Sequence, residues 1–182
     1  IAEEQKLGTM ELLMTSPLKD FEIVIGKFLA ALSIIIVMII GTLFYPIILI
    51  IFGVPDFGPI FTGYLGLILY SSSTLSVGIF ASSLSSNQLV SLVVGSGILS
   101  FLTFIDFVSS RLSGVFGTIL NELQLGGSFS LFDSSSFGIS EGGHFADFAR
   151  GIINVYDIIF YISVSIIFLV LTIFSLESRR WR

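Results

Sequence analysis

Four long stretches without charged side chains constrain this chain more than anything else in it. The first, Phe28 to Phe52, reads FLAALSIIIVMIIGTLFYPIILIIF. About 20 apolar residues, rising 1.5 Å each, cross a hydrocarbon core of about 30 Å, so this run is long enough to span a bilayer. Only Pro46 interrupts it, and a membrane helix accommodates proline as a kink. The segment GVPDFGP, from Gly53 to Pro59, then collects turn residues. Beyond Asp56 the next charge is Asp106, and the interval holds two spans separated by the polar break Ser85, Ser86, Asn87 and Gln88. A fourth run, Ile158 to Leu176, is closed by Glu177 and by Arg179, Arg180 and Arg182. The map is an entry segment at 1–27, three transmembrane helices within 28–108 (28–52, 60–84 and 89–107), a helix and loop at 109–157, a last transmembrane helix at 158–176, and a basic tail at 177–182.

Short-flank basic residues orient such helices. Of the 8 Lys and Arg, Lys6, Lys19 and Lys27 precede the first span and Arg179, Arg180 and Arg182 follow the last, which places both ends in the cytoplasm. Four spans satisfy that parity. The chain is therefore expected to be an all-α polytopic membrane protein with segment 109–157 outside. Its composition agrees: at 54% hydrophobic and 12% charged residues with a mean hydropathy of +1.02, it has too much apolar surface for one small soluble core and too few charges for disorder. No signal peptide is visible in IAEEQKLG. Beginning at Ile without Met, the chain reads as a piece of something longer, with membrane helices expected upstream.

Several chemistries are excluded or unsupported. With 0 Cys there is no disulfide framework, zinc ribbon or thiol nucleophile, and the lone His144 argues against an all-protein transition-metal site. A P-loop needs G-x-x-x-x-G-K-[ST], yet the one Gly-Lys pair, Gly26-Lys27, has Phe21 at the first glycine position and Phe28 after it. The expectation is no catalytic residue, no bound metal and no cofactor in this chain, and no Ser-His hydrolase, His144 packing or facing water instead. The pI of about 4.6 disfavours nucleic acid.

In the entry segment, Leu7, Met10, Leu13 and Met14 fall at helical spacing on one face of Ala2 to Ser16, an amphipathic helix for the cytoplasmic surface. Ser16-Pro17 stops it and starts another, with Asp20 and Glu22 near the positive helix end. Two readings remain open from these residues alone: a solvated helix beside the bilayer, or a rigid helix-turn-helix unit carrying force from a soluble partner.

Three stretches carry a resemblance. EEQKLGTMELLMTSPLKDFEIVIGKFLAA closely resembles the segment between the second and third membrane helices of ABC-2 type transporter permeases, especially the gliding-motility and nitrous-oxide-accessory group. VGIFASSLSSNQLVSLVVG resembles that family's fourth helix, cytoplasmic turn and fifth helix, and the end from His144 to Arg182, closing in ESRRW, resembles its C terminus. By this resemblance the four spans are helices three to six of six, the first two being missing. It implies a permease moving an unidentified substrate, by export, with ATP and magnesium held on a separate cytoplasmic ABC ATPase subunit. It also implies a second permease as partner, in a homodimer or with a related chain, and residence in a prokaryotic plasma membrane. Carried over by position, the ATPase-coupling residues are Glu4, Gly8, Thr9, Met10, Glu11, Leu12, Leu13, Thr15, Ser16 and Pro17. The turn of Ser83, Ser85, Ser86, Asn87 and Gln88 resembles a second, smaller ATPase contact, or is a plain polar turn.

Small residues crowd the second and third spans, among them Ser72, Ser76, Gly78, Ser82, Ser91, Gly95 and Ser96. They serve close helix packing, or part of a mildly polar pathway. Asp106 reads as an interfacial ion pair with Arg111 or as a proton-relay acid; its place near the span end favours the pair. The alternatives to a permease are an ATP-independent secondary transporter or channel built on Asp106, and a membrane anchor recruiting a cytoplasmic machinery protein.

Overall fold

The computed structural model describes residues 1–9, 19–53, 55–109, 123–126 and 144–180, with side chains for all of these except 106–109 and 179–180. Among them, regular structure is helical: α1 (Ala2–Lys6), α2 (Asp20–Thr42), α3 (Phe44–Phe52), α4 (Phe57–Leu84), α5 (Gln88–Ser109), α6 (His144–Ala149) and α7 (Val155–Arg180). Four stretches are long and apolar enough to cross a bilayer: Asp20–Phe52, Phe57–Leu84, Gln88–Ile105 and Val155–Ser178. Helices are the expected solution, because backbone N–H and C=O groups in hydrocarbon must be paired within the segment itself.

Local chemistry sets the helix ends. The Glu22 carboxylate accepts the Lys19 amide at 3.0 Å, the returning half of a capping box, and starts α2. Asp56 does the same for α4 through Gly58 N–H at 3.0 Å, and Asn87 for α5 through Leu89 N–H at 3.0 Å. Gly151, at φ +86°, ends α6 in a Schellman arrangement in which the Ile152 amide reaches the Asp147 carbonyl at 2.9 Å.

The entry segment departs from its sequence pattern. Instead of one helix through Ser16, α1 stops at Lys6, and Gly8 at φ +73° adopts the left-handed conformation that closes a helix. The Leu7 amide returns to Glu3 O at 2.9 Å and the Gly8 amide to Gln5 O at 3.3 Å. Helical spacing counts periodicity and takes no account of a glycine free to reverse φ, so Leu7 does not continue one apolar face through Gly8. The proposed cap Ser16 and the helix start Pro17 lie outside the described residues.

The residues form two compact units: 1–36 with 71–99 and 162–182, and 37–70 with 100–161. In the first, Val24 and Leu176 are fully buried and Ile1, Leu169 and Ile173 pack around them. Phe80 and Phe168 meet at 5.7 Å between ring centroids. A Cβ on Gly95 would stand 3.1 Å from that of Ala81, so the absence of a side chain lets α5 approach α4. In the second unit α6 docks through Phe148, which is fully buried. A Cβ on Gly66 would come within 2.8 Å of the Phe148 Cβ and Cγ, so α4 offers a notch that only glycine leaves open. The Thr62 hydroxyl donates to the Phe148 carbonyl at 2.7 Å beside it. The Tyr161 hydroxyl donates to Leu125 O at 2.8 Å, and the Leu125 amide to Leu102 O at 3.2 Å, which seats 123–126 among the helices.

The stretch Asp20–Phe52 packs least: none of its most hydropathic window is buried inside the chain. Ile34, Val37, Met38, Ile51 and Phe52 are each more than 60% exposed, an arrangement suited to lipid or to other membrane helices rather than to water.

Candidate functional site

Of the coupling residues identified by resemblance, Glu4, Gly8 and Thr9 are described; Met10, Glu11, Leu12, Leu13, Thr15, Ser16 and Pro17 lie outside the described residues. Glu4, half-buried, forms an ion pair and hydrogen bond with Lys27 of α2. The Ala2 amide donates to Ser82 Oγ of α4 at 3.0 Å. Thr9 Oγ1 reaches Glu4 O at 3.3 Å, and Gly8 and Thr9 are exposed. Thus α1 is clamped to two helices through Ala2, just before the motif, and Glu4, its first member.

Burial pushes the Glu4 carboxyl up, but the Lys27 ammonium bonded to it and the nearby Ile1 amino group together outweigh burial and hold it below the usual carboxylate range. A carboxyl lowered in the folded state stabilises above its ordinary range and loses that contribution as pH falls through the lowered value. The α1 clamp is therefore expected to hold at neutral pH and to loosen in acid. A spin label on a cysteine at the exposed position Leu7 should gain mobility as pH drops below the carboxylate range; Lys27→Met should be mobile already at neutral pH and lose the pH dependence.

The turn proposed as a second contact is built by its own side chains. Ser83 is buried and donates to Phe80 O at 2.7 Å, while its carbonyl accepts the Ser175 hydroxyl at 3.5 Å. Ser85 Oγ accepts the Asn87 amide at 3.1 Å, and Ser91 Oγ lies 3.2 Å from Ser85 O. Ser86, Asn87 and Gln88 are exposed. Three exposed polar residues at the tip are available to a partner, whereas Ser83 is committed to packing.

The small residues divide in the same way. Gly78, Ser82, Ser91, Gly95 and Ser96 line one open groove of about 440 Å³, together with Leu92 and neighbouring residues of α1 and α5. Its walls combine hydroxyls with apolar carbon and include Glu3 and Gln88. Ser72 and Ser76 do not line it. Ser72 faces Ser165 of α7 at 3.4 Å, and the buried Ser76 donates to Ser73 O of its own helix at 2.6 Å. For Asp106 only the backbone, within α5, is described.

The helices bring together a pair that sequence reading passed over. His144 Nδ1 stands 2.6 Å from Asp157 Oδ1, and the two side chains are 7% and 6% exposed. The imidazole stacks on Phe160 at 3.9 Å between centroids, with Tyr156 and Tyr161 at its edges. His144 is thus a packed side chain held by a buried carboxylate. The pairing signal, an acid 13 residues after the only histidine, is too weak to stand out without the fold. Gln124 is also fully buried, and neither polar atom of its side chain has a hydrogen-bond partner among the described residues.

Gly138 to Gly142 spells GISEG, the G-x-S-x-G letters of a nucleophile elbow. That elbow acts only on a strand-to-helix turn. No strand occurs among the described residues, and the stretch lies outside them.

Searches of curated proteins and of solved structures gave no match. A family model described as ABC-2 family transporter protein matches residues 1–180, nearly the whole chain, in line with the four apolar helices. The chain belongs to the ABC-2 family of transporter membrane proteins.

Proposed function

We propose that the chain is the permease subunit of an ABC-2 type exporter, driven by a separate ATPase subunit that holds ATP and magnesium. The observation that carries the reading is the family match over residues 1–180. In this reading the protein performs no covalent chemistry and is not itself an enzyme. Its spans are helices three to six of a six-helix permease of the gliding-motility and nitrous-oxide-accessory group, in a prokaryotic plasma membrane. The basic flanks Lys6, Lys19, Lys27, Arg179, Arg180 and Arg182 support a cytoplasmic position for both ends. The exposed apolar surface of Asp20–Phe52 supports further membrane helices beside it, from the same protein or from a second permease.

Coupling follows from how α1 is held. A displacement of the segment Glu4 to Pro17 by the ATPase pulls on Lys27 in the first span and on Ser82 in the second, through the contacts of Glu4 and Ala2. Leu13 and Met10 fill an apolar notch on the ATPase, Glu11 pairs with a cation there, and the tip Ser86, Asn87 and Gln88 makes the smaller contact. The groove lined by Gly78, Ser82, Ser91, Gly95 and Ser96 carries hydroxyls and no basic side chain, which suits an amphipathic cargo better than an ion.

The test is to purify the full-length protein from native membranes in mild detergent and to assay ATP hydrolysis by what co-purifies. A stoichiometric P-loop partner is expected. Leu13→Asp puts an unpaired charge into the apolar notch, and it should lower complex recovery and ATP turnover at least tenfold. Survival of both in the variant would place the notch elsewhere. A well-folded preparation without any ATPase would return the question to an ATP-independent transporter or a membrane anchor.

A further inference from the structure

The first span is broken, and the break shows how it is held. In an unbroken helix the amide of residue i+4 satisfies each carbonyl. Pro46 has no N–H, so the Thr42 carbonyl loses its partner, and the proline ring also crowds that carbonyl. One turn earlier the Leu43 amide goes to Ile40 O at 3.0 Å rather than to Ile39 O, which deprives a second carbonyl. Regular helix stops at Thr42 and resumes at Phe44. Two orphaned carbonyls in hydrocarbon are costly unless something donates to them.

Side-chain hydroxyls fill both places. The Thr42 hydroxyl donates to Ile39 O at 2.6 Å. The Tyr64 hydroxyl of α4 donates to Thr42 O at 3.0 Å and also lies 3.1 Å from Thr42 Oγ1. The donor that the proline removed is thus supplied from a neighbouring helix, 22 residues along the chain. An amide inside a helix cannot leave its carbonyl without unwinding a turn. A tyrosine hydroxyl can do so by a small shift of one helix against another.

We propose that Tyr64 is the positioning residue of this joint: by donating to the Thr42 carbonyl in place of the missing Pro46 amide, it holds α3 at a defined angle to the segment before it. Taken with the permease reading, on which this consequence rests, the joint lets the segment beyond Thr42 pivot while the segment before it stays rigid.

These 182 residues contain 0 cysteines, so a labelled pair introduced here meets no competing thiol among them. Val37 and Ile51 flank the joint and are 67% and 68% exposed. Spin labels at these two positions, in the full-length protein in lipid nanodiscs, report the angle directly. The native protein should give one narrow distance distribution. Tyr64→Phe should broaden it, with the variant still folded. Pro46→Ala restores an amide and should move the distribution toward the ~21 Å of 14 residues of straight helix. In that background Tyr64→Phe should change nothing further, because Thr42 O then has its own donor. An unchanged distribution in Tyr64→Phe alone, or an equal change in both backgrounds, would overturn the proposal. If Tyr64→Phe does not fold, recovery of folding by adding Pro46→Ala supports it, and failure of the double variant as well assigns Tyr64 to ring packing instead. The distance readout needs neither ATPase nor cargo, so it stands or falls apart from the permease reading.

Discussion

His144→Ala should destabilise the protein by about 3–5 kcal/mol, the usual cost of removing one partner from a buried pair and leaving the other charge uncompensated. Asp157 is 4% exposed, and among the described residues its Oδ1 pairs with His144 while its second oxygen, Oδ2, has no hydrogen-bond partner. The imidazole also stacks on Phe160, and its loss opens a gap between α6 and α7. The charge rather than the gap should dominate. His144→Ala combined with Asp157→Asn is therefore expected to recover most of the loss, since a neutral amide costs far less to bury than an unpaired carboxylate. Thermal unfolding of the two variants in the same detergent, followed by size-exclusion profile, separates the two contributions. Equal unfolding temperatures for the single and double variants would mean that packing against Phe160, not the contact with Asp157, holds α6.

Gly66→Leu should release α6 from α4. Two contributions are lost: the close packing of the Phe148 ring in the notch, and about 1 kcal/mol for the hydrogen bond from Thr62 to the Phe148 carbonyl. A leucine cannot be accommodated by a local shift, because its Cβ alone would stand 2.8 Å from the Phe148 Cβ, which is tied to backbone. Phe148→Gly removes both the Cβ and the ring that the leucine would meet, so Gly66→Leu should cost little in that background beyond the cost of Phe148→Gly itself. Hydrogen exchange over 144–149 is the direct readout. Unchanged protection of these amides in Gly66→Leu would show that the notch does not hold α6.

The same pattern of reciprocal fit recurs in both units. Gly95 on α5 lets Ala81 come close, Gly66 on α4 admits Phe148, and Gly151 turns the chain under α6 at φ +86° against Pro59. In hydrocarbon there is little hydrophobic gain from helix on helix, so association rests on close packing and on hydroxyl hydrogen bonds. Ser72 with Ser165, Thr62 with Phe148 O, Tyr161 with Leu125 O and Tyr64 with Thr42 O are contacts of that kind. Ser72, Thr62 and Ser175 are spent on such contacts between elements, whereas Ser33, Thr74, Ser83, Ser96 and Thr172 donate to carbonyls of their own helices. The groove beside Gly78, Ser82, Ser91, Gly95 and Ser96 is where such small residues are left uncovered.

The helical class and the four apolar spans were legible in the residues themselves, because crossing a bilayer depends only on the length and charge of a local run. The interruption at Pro46 was legible for a similar reason, since a missing amide is a property of one residue. The family, too, could be read from the stretches around Glu4 to Pro17, Val77 to Gly95 and His144 to Arg182, and the match over 1–180 bears it out. Tertiary structure alone decided what pairs with what: that α1 closes at Gly8 and is clamped by Lys27, that Tyr64 answers Pro46, that Asp157 holds His144, and that Gly78 but not Ser76 borders the groove. Hydropathy and periodicity sum over neighbours in the chain and are blind to how far each helix is rotated about its axis. A partner 13, 22 or 23 residues away is set by that rotation, and the rotation is set by the packing of small side chains against large ones.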